Sequence, residues 1–113
     1  ERRVFRRLNA KVKIHYELIK PEEYKRGKGI YHIGATEDIS AGGLLFESNE
    51  PLSLGSILEL KIELPNGDRF IQCLARVQRV EEIVANKTYD IAIYFLDISG
   101  AERTRLNKYV QRK

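Results

Sequence analysis

The sequence predicts an all-β fold followed by one helix, with about six short antiparallel strands closing a small barrel or sandwich. Three observations carry this. Apolar and polar residues alternate with period two in several separate runs, as they do along half-buried strands. Pro, Asn and Gly punctuate those runs at short spacings. Near the C-terminus the apolar period lengthens to that of an amphipathic helix behind a capping signature. At 113 residues the chain is predicted to be a single domain, 1–113, burying roughly two-thirds of its unfolded surface.

In chain order, an arginine-rich arm over 1–10 precedes the barrel, 11–98. Lys11-Val12-Lys13-Ile14-His15-Tyr16-Glu17 alternates cleanly, so Val12, Ile14 and Tyr16 are expected to face the core. The charged stretch from Glu22 to Gly29, after Pro21, reads as a loop. A strand from Ile30 to Ile39 then meets another at Gly43-Leu44-Leu45-Phe46-Glu47, so Ser40-Ala41-Gly42 must turn the chain. The adjacent Gly42 and Gly43 are expected to supply positive φ angles for that turn. Leu58, Leu60, Ile62 and Leu64 share one face of the next strand, with Glu59, Lys61 and Glu63 on the other.

Pro65-Asn66-Gly67-Asp68 follows as a type I′ hairpin tip, since Asn-Gly accepts two positive φ angles. The returning strand runs from Arg69 to about Val80, and Asn86-Lys87 turns into a last strand, Tyr89 to Phe95, with Ile91, Ile93 and Phe95 on one side. Ser99-Gly100-Ala101-Glu102 has the form of a capping box, Ser99 as N-cap and Glu102 reaching back to it. The helix it opens, 99–113, presents Leu106, Tyr109 and Val110 to the barrel and leaves Arg103, Arg105, Lys108 and Arg112 in solvent.

Composition narrows the function classes. Apolar residues make up 42% and charged residues 32%, which suits a folded globular domain. No stretch approaches the ~18 apolar residues of a membrane span, and no charged n-region leads into a signal segment. The lone Cys73 has no disulfide partner in the chain and no Cys or His at ligand spacing, so it reads as a small core residue in a reducing compartment. His15 and His32 sit in strand-like runs without metal-ligating companions, which excludes an evident metal site. A chain that starts with glutamate and has no methionine is expected to be a piece of a longer protein.

Nor is there a sign of catalysis. The sequence has no Gly-rich loop ending in Lys-Ser or Lys-Thr and no placed Ser, His and Asp set. Glu22-Glu23 and Glu81-Glu82 read as solvated carboxylates in or beside loops. The charge is more informative. Of the formal net +4, the first seven residues account for +3, with four arginines and one glutamate. A general nucleic-acid binder spreads its basic residues over a broad face. Arginine is the residue suited to phosphate oxygens, through its planar fork, and to stacking on flat rings.

Two motifs emerge. Arg3-Val4-Phe5-Arg6-Arg7 fits RxxxR, and Asp38-Ile39-Ser40-Ala41-Gly42-Gly43 fits [D/N]x[S/A]xxG about thirty residues on. In this order and fold context the chain resembles the PilZ domain family, bacterial receptors for cyclic di-GMP, over essentially its whole length. The resemblance implies a six-stranded antiparallel β-barrel of split-barrel type with a C-terminal α-helix, and a non-catalytic receptor with no cofactor or metal. It also implies cyclic di-GMP binding by Arg2, Arg3, Arg7, Asp38, Ser40 and Gly43. Arg2, just before the motif, is compatible with a stacked ligand dimer, and Arg6 occupies a variable position.

The chemistry of the residues agrees with those roles. Arginine forks donate to phosphates and to the guanine O6/N7 edge, Asp38 accepts from guanine N1–H and N2–H₂, and Ser40 adds a hydroxyl. Gly43 lets backbone approach the ligand. At single positions blander roles stay open, since Asp38 can form an Asx turn, Ser40 can bond its own backbone and Gly42 can simply turn the chain. Phe5 is expected to anchor the arm.

Four clustered charges imply an arm that is mobile until ligand phosphates fold it across the barrel mouth, a change that an attached domain or protein partner reads. Bacterial cytoplasm, or the cytosolic domain of a larger protein, is the expected location. Motility, exopolysaccharide synthesis and biofilm formation are outputs that the family serves. The rivals are a PilZ-like protein-interaction module and a small basic barrel for single-stranded nucleic acid. The latter needs an aromatic stacking face, whereas Tyr16, Tyr31, Tyr89 and Tyr94 are scattered, so nucleic acid is disfavoured.

Overall fold

The computed structural model of the chain describes residues 7–19, 32–65 and 69–112. The elements are β1 (Arg7–Leu8), β2 (Lys13–Ile19), β3 (His32–Ser40), β4 (Gly43–Ser48), β5 (Ile57–Glu63), β6 (Ile71–Val84), β7 (Thr88–Asp97) and α1 (Gly100–Arg112). Every pairing is antiparallel. The order β3-β2-β5-β6-β7-β4 is closed by pairing of β3 with β4, which makes a six-stranded barrel. β1 adds a two-residue strand beside the end of β3, within the stretch assigned to the arm.

The barrel closes because period-two patterning gives each strand one apolar face. Ile14 and Tyr16 from β2 point inward, as do Leu58, Leu60 and Ile62 from β5 and Ile91, Ile93 and Phe95 from β7. Val12 and Leu64, just outside their strands, are buried too. Cys73 is a buried core residue on β6, as expected, directly opposite Leu60. Tyr16 tilts against Phe46 and stacks on His32, which holds that histidine to its strand. His15 likewise stays on a strand face, edge-on to Phe70.

The β5–β6 hairpin forms, with Ile62 opposite Ile71; its Asn-Gly tip and the charged stretch from Glu22 to Gly29 lie outside the described residues. β6 runs four residues past the expected Val80. Glu81 and Glu82 are therefore strand residues opposite Asp90 and Tyr89 and not part of a loop. Register shifts interrupt the β6–β7 ladder at three places, one of them between Val77 and Arg79. The turn back uses Asn86 in left-handed backbone, φ 59°, with its N–H donated to the Glu82 carboxylate.

The helix starts as the capping signature predicts. Ser99 Oγ accepts from Glu102 N–H at 3.1 Å and the Ser99 carbonyl accepts from Arg103 N–H. Glu102 does not complete the box. Its carboxylate instead lies 3.4 Å from Gln72 N–H, tying the first helical turn to β6. Leu106 and Val110 are fully buried and Tyr109 packs beside them, which at about 1.5–3 kcal/mol per buried aliphatic side chain holds α1 on the barrel end. Arg103 and Arg105 are half-buried, contrary to the expectation of full solvation. Arg105 lies back over the barrel and donates to the Arg69 carbonyl at 2.7 Å.

Candidate ligand-binding site

The site is built on the end of β3. Thr36 and Ile39 both point inward and are fully buried, a spacing of three that strict alternation forbids. A β-bulge resolves it: Thr36 pairs with Phe46 and Asp38 with Leu45, which leaves Glu37 as the extra residue. Asp38 can thus face outward although Thr36, two residues earlier, faces inward. Thr36 in turn fixes the incoming chain. Its hydroxyl donates to the Ala10 carbonyl at 2.6 Å and accepts from Val12 N–H at 2.9 Å, while its own N–H donates to the Val12 carbonyl. These bonds bridge the break between β1 and β2 and set β1 against β3.

The result places Arg7 opposite Ser40 and Leu8 opposite Ile39. Directly opposed antiparallel residues share a face, so Leu8 turns toward the core while Arg7 joins Ser40 and Asp38 outside. Arg7 then donates to Asp38 Oδ1 from Nη2 at 2.5 Å and from Nε at 3.2 Å. Both bonds fall on one oxygen. Among the described residues no donor reaches Oδ2. The pair remains open to solvent, with 31% of the Arg7 side chain and 14% of the Asp38 side chain exposed.

Ser40 and Gly43 serve the scaffold. Ser40 Oγ accepts from Gly42 N–H at 3.1 Å and donates to the Gly43 carbonyl at 3.3 Å, so its hydroxyl closes the β3–β4 turn. Neither Gly42 nor Gly43 has positive φ, contrary to the sequence expectation. Gly43 is required for another reason: a Cβ there would lie 2.2 Å from the Ile93 carbonyl oxygen of β7. The close approach that this glycine permits is between two strands. Arg2 and Arg3, the remaining members of the set, lie outside the described residues.

Beside the bulge lies an acidic row. Glu47 stands opposite Asp90, and Asp90 opposite Glu81. Burial lifts the Glu37 carboxyl above its ordinary range, reinforced by a hydrogen bond to Asp90 and by repulsion from Asp90 and Glu47, against a smaller opposing effect of Lys11. A cleft of about 410 Å³ lined by Lys11, Lys13, Arg69 and Phe70, among others, contains none of the motif residues. Of the described motif residues, Arg7 and Asp38 stand partly exposed on the outer face of the barrel. Among the described residues no group of three or more His, Cys, Asp or Glu is arranged to hold a metal ion, and no helix is long and apolar enough to cross a membrane.

A family model described as the PilZ domain matches residues 1–112. The chain belongs to the PilZ domain family. Solved structures agree on the fold. The Bacillus subtilis inhibitor of motility MotI/DgrA superposes with a TM-score of 0.78 at 24% identity, covering 99% of this PilZ chain and 50% of its own length. The PilZ domain of YcgR from Escherichia coli, solved with c-di-GMP, gives 0.66 at 16% identity, covering 99% and 91%. MrkH of K. pneumonia, in its c-di-GMP complex, gives 0.72 at 18%, covering 99% and 51%. The PilZ chain thus spans about half the length of MotI/DgrA and MrkH. No curated protein sequence matches it.

Sequence reasoning about the site missed Thr36 and Glu37. A hydroxyl amid an otherwise polar run carries no periodic signal, and a bulge announces itself only when buried residues on either side of it are known.

Proposed function

We propose that this PilZ domain is a non-catalytic receptor for cyclic di-GMP. The ligand is held by Arg2, Arg3 and Arg7 on the arm side and by Asp38 on β3, with Ser40 and Gly43 shaping the turn beside them. The observation that carries this reading is the Arg7–Asp38 pair on the outer face of the barrel. The two motifs, thirty-one residues apart in sequence, meet there side chain to side chain. Support comes from the family and from YcgR and MrkH, relatives of the same fold solved with c-di-GMP.

The chemistry follows from what each group has left to offer. Among the described residues Asp38 engages only the Arg7 fork, through one oxygen, which leaves Oδ2 to accept from a guanine N–H. Arg7 keeps Nη1 for a phosphate or for the guanine O6/N7 edge. Arg2 and Arg3 neutralise the two phosphates, and ordering of the residues before β1 over the ligand is the conformational change that an attached domain or protein partner reads. Ser40 acts mainly by fixing the turn, since its hydroxyl is engaged there.

Isothermal titration calorimetry at physiological salt tests this, with GTP and a short oligonucleotide as controls. Saturable binding of cyclic di-GMP alone is expected. Arg3→Ala and Arg7→Ala are each expected to cost at least ~2 kcal/mol, through loss of charge-assisted bonds. Full affinity in both variants rejects the site. No heat with cyclic di-GMP rejects the receptor reading and leaves a protein-interaction module as the better one.

A further inference from the structure

The strand registers extend the site past the two motifs. Arg7 opposes Ser40, the turn carries Ser40 to Gly43, Gly43 opposes Tyr94 on β7, and Tyr94 opposes Arg76 on β6. Their neighbours Ala75, Val77, Ile93 and Phe95 are buried, so Tyr94 and Arg76 face outward on the same side as Arg7. Gly43, without a side chain, leaves bare backbone in the middle of this row.

Tyr94 is 37% exposed. Arg76 is half-buried on the open barrel wall, and its Nε is buried with no hydrogen-bond partner among the described residues. A buried donor left so is costly unless something else accepts from it. Four strand steps separate β1 from β6, about 19 Å along the sheet at ~4.8 Å each, so long arginine side chains from the two ends reach toward the same ligand. The acidic row of Glu47, Asp90 and Glu81 lies further along the strands and repels an anion on that side. That charge distribution favours an anion over the row containing Tyr94 and Arg76.

We infer that Tyr94 and Arg76 form the far wall of the nucleotide site, Tyr94 as the platform on which one guanine stacks and Arg76 as donor to the O6/N7 edge of that guanine. This rests on the receptor reading above. Tyrosine offers a flat, rigid ring at an open surface, and arginine on guanine O6/N7 is the pairing that separates guanine from adenine. Together they make the site selective for base as well as for phosphate.

The test is calorimetry on the full chain with cyclic di-GMP, and competition by cyclic di-AMP, for the unmodified protein and for Arg76→Gln, Arg76→Lys, Tyr94→Leu and Tyr94→Phe. Circular dichroism establishes which variants keep the fold. Both Arg76 variants are expected to weaken cyclic di-GMP about tenfold or more and to narrow the preference over cyclic di-AMP. Tyr94→Leu should weaken binding of both ligands, and Tyr94→Phe should restore it. Folded Arg76→Lys and Tyr94→Leu proteins with unchanged affinity and base preference overturn the inference while the receptor reading stands. Absence of cyclic di-GMP binding by the unmodified protein overturns both.

Discussion

Replacing Gly43 by alanine separates a role in the barrel from a role toward the ligand. The new methyl would sit 2.2 Å from the Ile93 carbonyl oxygen, 3.0 Å from the Tyr94 Cα and 3.2 Å from the Ile93 carbonyl carbon. All three atoms are backbone, so no rotamer change relieves the clash, and β4 has to retreat from β7 by about 1 Å. Overpacking of this kind costs about 1–3 kcal/mol. The retreat also strains the bond from Phe95 N–H to the Gly42 carbonyl, 3.0 Å long, adding about 1 kcal/mol. A loss of about 2–4 kcal/mol is therefore expected, which for a domain this small lowers Tm by about 10 °C or more. Urea unfolding followed by circular dichroism measures the first quantity, and calorimetry with cyclic di-GMP measures affinity on the same protein. Undiminished stability combined with lost affinity would refute the reasoning, because the glycine would then serve the ligand alone.

Three further outcomes follow from the packing. Thr36→Val keeps the shape but removes the hydroxyl between Ala10 and Val12, and should cost about 2–3 kcal/mol while releasing β1, so urea unfolding and cyclic di-GMP affinity should weaken together. Burial, with Glu102 and Asp97 nearby, pushes the Cys73 thiol up to about 12; the native protein should leave a disulfide reagent unreacted at pH 8 and react promptly in urea. Since the folded thiol holds its proton more tightly than the unfolded one, stability should also decline as pH rises from about 9 toward 12. The Glu37 carboxyl is raised above its usual 4.5, so the folded state binds the proton more tightly and loses stability as pH climbs above that value. Glu37→Gln should accordingly raise Tm at pH 7 more than at pH 4, and equal gains at both would discount the acidic row.

Much of the barrel was legible because alternation is enforced wherever one face is buried. Ile14 and Tyr16, Leu58 to Ile62, and Ile91 to Phe95 could be assigned to the core from spacing alone, and Ser99 marked the helix start. What escaped was whatever depends on a partner strand. Glu81 and Glu82 read as loop because charge dominates locally, yet β7 continues alongside and supplies their hydrogen bonds. Gly42-Gly43 suggested left-handed backbone, when the real constraint was the proximity of Ile93. Glu102 and Arg105 found partners on β6 and just before it that no local motif encodes. At the candidate site the motifs single out Arg7, Asp38 and Ser40, but the pairing of Arg7 with Asp38 and the bulge that aims Asp38 outward depend on the register of three strands.

Closure of the barrel has a consequence for how such a domain behaves among copies of itself. Each of the six barrel strands has a hydrogen-bonded neighbour on both sides, but β6 outruns β5, so that residues 79–84 pair with β7 alone and leave an open edge besides that of the two-residue β1. An exposed sheet edge is a template on which another chain can add a strand, and natural β-proteins guard against it. Here the open length is short, and Arg79, Glu81 and Glu82 put charge on it. A domain with that property can be joined to other domains, or present at high local concentration, without its sheet recruiting theirs.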